Sequence, residues 1–343
     1  LVKVSKNWLN SFASGPLVDL IFFAYNFCPP SKASNATQTG GEKMRRWIGL
    51  LLIFVVVATV SGCRQKKQPL NLSKEVEIPA AISRGKNLEP QLRVYLSQQG
   101  SIVPMDMEEY IMGVVAAEMD TEWPQAALAA QAIEARTFTL QKIDEQGTLP
   151  GKDAHASTNI EEFQAYNASR INDNVREAVN STRGLVAVHQ GEFVRSWFHS
   201  YCGGITATPS AGLNFQGKNP AYCKPVENPC RKYVDKDIEF WSKSFSKSQI
   251  RSAVRSIADE DPGDFKNFDI ISAENGRAIT LKIGKVEVPA AELRLALGST
   301  AMRSTWVDSP TISGDEVKFI GRGYGHGVGL CQWGAKGLAE EGR

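Results

Sequence analysis

The stretch from Glu108 to Leu140 constrains the fold most, because its pattern indicates two helices separated by a short break. Apolar and aromatic residues recur in the first helix at the three- and four-residue spacing that places side chains on one face. These residues are Met107, Tyr110, Ile111, Val114 and Val115. Glu118 continues the same stripe, where a carboxyl group loses solvation unless it is protonated or paired. Glu118 is therefore a candidate general acid, with neutralisation by a basic residue as the alternative.

The second helix is predicted to begin at Pro124, a residue suited to the first helical position. Its many alanines allow a neighbouring element to approach closely, and Arg136 shares a face with Ala132 and Ile133. Arg136 is therefore the natural partner for a buried acid. Two roles are open for it: an ion pair that holds Glu118 ionised, or a contact with an anionic group of a substrate.

Two further segments carry unusual sequences. One is FHSYCGGIT, from Phe198 to Thr206, and the other is GRGYGHGVGLCQWGA, from Gly321 to Ala335. With the two-helix stretch before them, these segments resemble the SpoIID/LytB family of bacterial cell-wall proteins, named for a sporulation protein and an amidase enhancer. The resemblance spans the chain from Met107 to Ala335, and Cys331 stands where the family has serine.

The resemblance implies lytic transglycosylase chemistry on peptidoglycan glycan strands that have been stripped of their stem peptides. Glu118 would be the single acid and base, because the 6-hydroxyl group of the sugar supplies the nucleophile, whereas ordinary glycosidases need two carboxylates. Asp120 and Glu122 are close enough in sequence to be second carboxylates, but solvated loop acids are the favoured interpretation. The resemblance equally allows a non-catalytic enhancer of an N-acetylmuramoyl-L-alanine amidase.

The Gly-rich segment is predicted to contribute to the substrate site. Glycines permit tight turns and the close approach of a sugar, so His326 is expected on an exposed loop. Gln332 can hydrogen-bond a sugar or an amide, and Trp333 can stack on a pyranose face; a Gly-rich turn with a core tryptophan is the alternative. The residues predicted to bind substrate are Arg136, His199, Ser200, His326, Gln332 and Trp333.

Several residues of types that ligate metals lie in the second half of the chain, namely His199, Cys202, Cys223 and Cys230. One imidazole and three thiols make up the inventory of a structural zinc site. Irregular spacing and the oxidising compartment of an exported protein favour a disulfide instead, with Cys223 and Cys230 as one pairing and Cys202 free or joined to either. A Cys/His nucleophile is disfavoured, because no separate oxyanion signal accompanies it.

The zinc site that some family members carry is not expected in this chain. Those members hold zinc just before a QxY segment, which is present here as Gln164-Ala165-Tyr166. The preceding positions are Ser157, Glu162 and Phe163, which cannot rebuild the cysteine and histidine ligands. We therefore predict no cofactor, with structural zinc at the cysteines as the disfavoured alternative.

The N-terminal segment is predicted to direct export. Residues 1–43 have the composition of an upstream, non-native extension, and residues 44–62 resemble a lipoprotein signal peptide that ends before Cys63. Lipidation of Cys63 would anchor the protein to a membrane, with an uncleaved N-terminal anchor as the alternative. Residues 63–87 are predicted to be a linker and residues 88–343 the SpoIID/LytB-like domain, whose C-terminus we expect to be truncated relative to the family.

Charge and element order bound the remaining possibilities. The chain has 39 Lys and Arg against 37 Asp and Glu, so a net charge of +2 gives no field that would attract nucleic acid. Helical segments are mixed with short strands, which predicts an α+β fold of mixed helices and short antiparallel strands, with a small α/β insertion around 235–310. The sequence thus predicts an extracytoplasmic, membrane-anchored enzyme of the cell envelope that acts on peptidoglycan.

Overall fold

A computed structural model describes residues 2–4, 75–84 and 89–343 of the chain. The predicted signal peptide and Cys63 lie outside these ranges. Within the described ranges, no helix combines the length and the apolar character that crossing a membrane requires.

Helices and short strands are mixed along the described ranges, which confirms the predicted α+β class. The helices are α1 (Met107–Glu118), α2 (Gln125–Gln146), α3 (Asp173–Ser181), α4 (Pro209–Leu213), α5 (Cys230–Tyr233), α6 (Lys236–Glu239), α7 (Lys247–Ala258), α8 (Ala290–Ala296) and α9 (Gln332–Glu340). A turn of 3-10 helix spans Ala168–Arg170.

The strands are short, and most of them pair with antiparallel neighbours. They are β1 (Val2–Val4), β2 (Glu75–Val76), β3 (Ser83–Arg84), β4 (Pro90–Leu96), β5 (Ser101–Asp106), β6 (Ala156–Ser157), β7 (Leu185–Val186), β8 (Val188–His189), β9 (Glu192–Phe193), β10 (Phe198–His199), β11 (Phe240–Ser246), β12 (Phe268–Glu274), β13 (Arg277–Ile283), β14 (Val286–Pro289), β15 (Thr311–Ser313), β16 (Glu316–Arg322) and β17 (Leu330–Cys331). β1 pairs with β2 and β7.

The first core lies between a small sheet and helices α1 to α3. Strand β4 pairs antiparallel with β3 and β5 and parallel with β6. Alternation along β4 turns Leu92 and Val94 inward, as the pleat of a half-buried strand requires. These side chains share one apolar cluster with residues such as Tyr110, Leu128 and Val175.

The predicted stripe on α1 is buried in this core. Val114 and Val115 are completely buried, which is what the helical spacing predicted. Helix α2 was predicted to begin at Pro124. It begins one residue later, at Gln125, and Pro124 is its N-terminal cap. Gly113 lets Tyr166 lie against α1, because a Cβ atom at Gly113 would stand 2.1 Å from Cε2 of Tyr166.

A second core is formed within residues 240–319, in the region where the insertion was predicted. Strand β16 pairs antiparallel with β11 and β15, and β13 pairs antiparallel with β12 and β14. Helices α7 and α8 cover these sheets, and the buried residues include Ile250, Leu281 and Phe319.

A short parallel pair joins the two segments with unusual sequences. Strand β10 pairs with β17 so that His199 lies opposite Cys331. An isolated bridge between Tyr201 and Tyr324 continues the contact. Because of this pairing, the FHSYCGGIT segment and the Gly-rich segment lie side by side, and α9 begins directly beyond them.

Candidate active site

Glu118 is the last residue of α1 and its side chain is partly buried. Burial is the main cause that raises the pKa of its carboxyl group, while hydrogen bonds from Gln332 and from the backbone of Ala165 act to lower it. The C-terminal end of a helix carries partial negative charge, which also disfavours an ionised carboxyl group. Glu118 is therefore held toward its protonated form, the form that a general acid needs.

The side chain of Gln332 connects three helices at this point. Its Nε2 lies 3.4 Å from Oε2 of Glu118 and 3.3 Å from Oε1 of Gln131. An amide nitrogen has two hydrogens to donate, so both contacts are satisfied at once. Gln332 is the first residue of α9, Gln131 lies on α2 and Glu118 ends α1. The structure thus brings together two residues that the sequence predicted for the site, Glu118 and Gln332.

Asp120 and Glu122 are exposed residues of the connection between α1 and α2. Oδ1 of Asp120 accepts a hydrogen bond from the backbone N–H of Glu122 at 3.0 Å. A carboxylate oxygen of Glu122 accepts a hydrogen bond from Nδ2 of Asn172 at 2.7 Å. Both acids stabilise the loop, in agreement with the interpretation as solvated loop acids.

The ion pair between Arg136 and Glu118, one of the two roles that the sequence left open, does not form. Arg136 pairs with Glu108 at the start of α1 through Nε to Oε1, 2.9 Å, and Nη2 to Oε2, 2.6 Å. Nη1 of Arg136 donates to the carbonyl oxygen of Leu185 at 2.8 Å. The side chain is 1% exposed, so it has no access to a substrate and the predicted binding role is withdrawn. Among the residues that the structure describes, Glu118 has no cationic partner that would keep it ionised.

The rings of His199 and His326 lie next to each other at a tilt of 57°, but they have different surroundings. The ring centroids of His199 and His326 are 5.6 Å apart. His326 is partly buried, and burial together with the nearby His199 lowers its pKa well below the usual range. The backbone N–H of Val328 donates to Nδ1 of His326 at 3.1 Å. A neutral His326 can therefore still donate one hydrogen bond, from Nε2.

His199 is buried, which corrects the prediction that it binds substrate; its ring contacts the backbone of Val328. Ser200 is partly exposed, and its carbonyl oxygen accepts a hydrogen bond from the backbone N–H of Trp333 at 3.1 Å. The backbone of Ser200 thus fixes the first turn of α9.

Trp333 is a packed tryptophan, which contradicts the prediction that it stacks on a sugar. Its side chain is 5% exposed and lies in an edge-to-face contact with Trp123, at 4.7 Å between ring centroids. Nζ of Lys336 lies over the Trp333 ring, 4.6 Å from its centroid. The alternative of a Gly-rich turn followed by a core tryptophan describes Trp333 correctly.

The predicted pairing of Cys223 with Cys230 is absent from the described residues, where all four cysteines are free thiols. Cys230 lies instead against Cys202, with 3.4 Å between the two sulfur atoms. Cys331, which the sequence marked only as a departure from the family, completes a buried group with His199 and Cys202. Cys223 stands apart in the 209–229 segment.

Sequence reasoning missed two polar residues of α2, one that holds Gln332 and one that lies elsewhere on the helix. Gln131 is buried and holds Gln332, and the signal for it was a polar residue among the alanines of α2. Glu134 is a second partly buried acid on α2; burial raises the pKa of its carboxyl group, and Ser196 donates a hydrogen bond to it. An acid on the alanine-rich helix was visible in the sequence, but its partner Ser196 is distant along the chain.

Comparisons with known proteins agree with the class of domain that this fold and site define. Residues 95–189, which contain Glu118, match the family model of the stage II sporulation protein SpoIID. Residues 95–189 are thus similar to a SpoIID domain, and the resemblance predicted from the motifs is confirmed.

The relatives include proteins with two different names. Over 271 residues the chain is 28% identical to stage II sporulation protein D of Bacillus subtilis, covering 73% of each protein. It is 27% identical over 278 residues to the amidase enhancer of Bacillus subtilis, covering 68% of this chain and 38% of that protein. An uncharacterized protein of Brachyspira hyodysenteriae is 28% identical over 248 residues, with 69% of this chain and 62% of the relative covered. The chain thus spans less than two thirds of two of these relatives.

Proposed function

We propose that this protein is a peptidoglycan lytic transglycosylase of the cell envelope, with Glu118 as its acid and base. One observation carries the proposal: a partly buried carboxyl group with a raised pKa, which forms no ion pair within the described part of the chain, is held by an amide of the Gly-rich segment. A protonated carboxyl group that is accessible and oriented is the minimum that glycosidic bond cleavage requires.

The proposed reaction uses Glu118 twice. Its carboxyl proton passes to the oxygen that links the muramic acid C1 to the next sugar, and the C1–O bond breaks. The resulting carboxylate takes the proton of the muramic acid 6-hydroxyl group, whose oxygen forms a bond to C1. The products are a 1,6-anhydro end and a free 4-hydroxyl group, and no water is consumed.

The surroundings of Glu118 suit both steps. The raised pKa favours proton donation in the first step, since the acid is still protonated at higher pH. The amide of Gln332 and the backbone N–H of Ala165 then stabilise the carboxylate that the first step leaves behind. Neither group is charged, so neither fixes Glu118 permanently in one protonation state.

Export follows from this proposal, because the substrate lies outside the cytoplasm. The predicted lipid anchor at Cys63 is part of the proposal and is independent of the site geometry. The peptide-free glycan that the site would cleave requires an amidase to act first.

A second candidate function is enhancement of an amidase without catalysis. The relative named amidase enhancer favours it, because that protein shares 27% identity over 278 residues with this chain. In that case the surface near Glu118 would bind glycan or the amidase, and the carboxyl proton would never move.

One experiment separates the two functions. The full chain is incubated with amidase-treated peptidoglycan, and mass spectrometry measures 1,6-anhydro ends for wild type, Glu118→Gln and Glu134→Gln. Loss of general acid catalysis is expected to lower the rate by about 100-fold or more in Glu118→Gln. Glu134→Gln is the matched control, since Glu134 is also a partly buried acid whose pKa is raised, and its rate is expected to stay close to that of wild type.

The enhancer is tested in a parallel assay that measures amidase rate on intact peptidoglycan. Anhydro ends from wild type and Glu134→Gln, but not from Glu118→Gln, support the enzyme. No anhydro ends from any of the three, with equal stimulation of the amidase by all three, overturns the enzyme and supports the enhancer.

A further inference from the structure

A buried group of metal-ligating atoms lies where the Gly-rich segment packs against the FHSYCGGIT segment. The ligand atoms of His199, Cys202 and Cys331 all lie within 4.8 Å of one another, and all three residues are buried. The sulfur of Cys230 is 3.4 Å from that of Cys202. A tetrahedral zinc ion with Zn–S bonds of about 2.3 Å places its sulfur ligands about 3.8 Å apart. The ligand atoms of His199, Cys202 and Cys331 therefore have the spacing of such an ion, and the Cys230 sulfur, which is not part of the 4.8 Å group, has to move toward them to become the fourth ligand.

The group has the composition of a closed structural site, with three thiols and one imidazole. It differs from the set considered from the sequence, because Cys331 takes the place of Cys223. The four residues come from three separate parts of the chain: β10 with the turn after it, the start of α5, and the residue that caps α9. A metal ion here would fasten these three parts to one another.

His199 is oriented as a metal ligand. Its Nδ1 lies 3.0 Å from the carbonyl oxygen of Val328, and a carbonyl oxygen can only accept, so Nδ1 carries the proton. The lone pair of Nε2 is therefore free, and Nε2 is buried without a hydrogen-bond partner in a side chain that is 4% exposed. Metal-ligating histidines are commonly fixed in this way by a backbone carbonyl on the other ring nitrogen.

Amide donors surround the sulfur atoms. The sulfur of Cys202 accepts from the backbone N–H of Gly204 at 3.4 Å and from Nδ2 of Asn228 at 3.2 Å. The sulfur of Cys331 accepts from the backbone N–H groups of Cys202 and Gly334, each at 3.3 Å. Hydrogen bonds of this kind favour thiolates, the form in which cysteine binds metal.

A buried cation next to Cys202 also favours a site with net negative charge. Arg277 is fully buried, and within residues 89–343 it forms no ion pair. Its Nη2 donates to the carbonyl oxygen of Cys202 at 2.7 Å, while Nε and Nη1 have no partner. A buried charge needs compensation by an opposite charge. One zinc ion with three thiolates and a neutral imidazole carries one net negative charge, which a disulfide or neutral thiols would not supply.

We propose that His199, Cys202, Cys230 and Cys331 bind a structural zinc ion. The ion fastens the Gly-rich segment to the FHSYCGGIT segment and fixes the start of α9, where Gln332 reaches Glu118. The proposal does not depend on the chemistry at Glu118, since a zinc ion would stabilise the same arrangement of segments in an amidase enhancer. The rival is a disulfide between Cys202 and Cys230, whose sulfur atoms are also close enough to react after a small movement.

Metal content tests the proposal on the full chain. The chain is purified with reductant in the presence of zinc, and its zinc content is measured by elemental mass spectrometry. About one zinc ion per chain is expected for wild type. Cys331→Ser is expected to lose most of the zinc, whereas Cys223→Ser is the matched control and is expected to retain it, because Cys223 lies outside the group.

A cobalt titration keeps the proposal testable if Cys331→Ser folds poorly. Wild-type chain stripped of zinc is titrated with Co²⁺, and intense visible absorption of a tetrahedral, sulfur-rich site is expected. Absence of both zinc and this absorption in folded wild type overturns the proposal. Equal zinc content in Cys331→Ser and Cys223→Ser also overturns it, as does a Cys202–Cys230 disulfide in peptides of the wild-type protein purified without reductant.

Discussion

The surroundings of Glu118 disfavour the ionised form of its carboxyl group in the folded protein. Its pKa is raised mainly by burial, so the folded state favours the neutral acid more than the unfolded state does. Such a group contributes most to stability when it is protonated, below the ordinary pKa of 4.5. That contribution is lost as the pH rises through the raised pKa of the folded state. Stability and catalysis therefore favour the same protonated form.

Replacing Glu118 by glutamine removes this titration. We expect Glu118→Gln to become more stable relative to wild type as the pH rises from about 4 to about 7, since glutamine has no charge to desolvate. Thermal unfolding over this pH series measures the difference. Glu122→Gln is the control, because Glu122 is an exposed acid on the neighbouring loop. A stability difference between Glu118→Gln and wild type that does not change with pH would contradict the burial of the Glu118 carboxyl group.

The sequence was sufficient to select Glu118 and Gln332 but not to predict that they are in contact. Helical spacing placed Glu118 at the end of the buried stripe, and only helix geometry was needed for that. Its contact with Gln332 depends on the pairing of β10 with β17, which joins residues far apart along the chain. Trp333 was predicted to stack on a sugar ring, because it follows a glycine-rich segment. In the structure Trp123 and Lys336 cover its ring.

Helices α1 and α2 are joined by a buried ion pair as well as by apolar contacts. Arg136 and Glu108 form two hydrogen bonds in an environment that excludes water. The sequence contained a signal for this pair, because Glu108 and Arg136 lie almost equally far from the break between the two helices. The ion pair with Glu118 was one of two open alternatives for Arg136, because both residues lie on apolar stripes.

Removing one partner of this pair leaves the other charge buried. We expect Arg136→Leu to lower the free energy of unfolding by about 3–5 kcal/mol. Glu108→Leu/Arg136→Leu should recover part of the loss, because no charge is then buried, although the N–H of Gly184 and the carbonyl of Leu185 lose their partners. Urea unfolding of the three proteins gives these values. A loss below about 1 kcal/mol in the single variant would be typical of an exposed pair and would contradict the burial.

The Gly-rich segment requires glycine where it passes β10. Gly329 has a φ of +73°, and a Cβ atom there would lie 1.9 Å from the carbonyl oxygen of Trp197. An alanine at Gly329 must therefore move the backbone that leads into β17 and α9. Gly314 has a φ of +59° but open space around its Cβ position, so it offers a control with backbone strain alone.

We expect Gly314→Ala to lower the free energy of unfolding by about 1 kcal/mol, which is the order of a strained backbone conformation. Gly329→Ala should lower it clearly more. Thermal unfolding compares the two variants with wild type. Gly329→Ala should also lower activity further than its stability loss explains, since it displaces Gln332 from Glu118. Equal losses of stability in both variants would mean that the Trp197 contact does not form.

The molecule holds its candidate site where its two large cores meet a small third cluster. The first core positions Glu118 and Gln131, and the Gly-rich segment leaves β16 of the second core before it reaches Gln332. The third cluster forms where that segment packs against the FHSYCGGIT segment and the start of α5. It consists of Tyr201, Cys202, Cys230, Cys331 and Trp333. Helical and strand periodicity predicted the mixed fold class and the region of the second core. The third cluster could not be predicted, because its members converge only through long-range contacts.

The proposed chemistry makes a statement about water that separates it from hydrolysis. In a transglycosylase the muramic acid closes its own ring, so the cut end takes up no oxygen from the solvent. In a hydrolase the attacking water oxygen remains on C1. The Glu118 environment, with its two loop acids engaged elsewhere, favours ring closure.

The decisive measurement is therefore digestion of amidase-treated peptidoglycan by the full chain in oxygen-18 water, with mass spectrometry of the new muramic acid ends. We predict 1,6-anhydro ends without heavy oxygen, formed by wild type and absent with Glu118→Gln. Reducing ends that carry oxygen-18 would contradict the single-carboxylate account and would require a second acid to activate water.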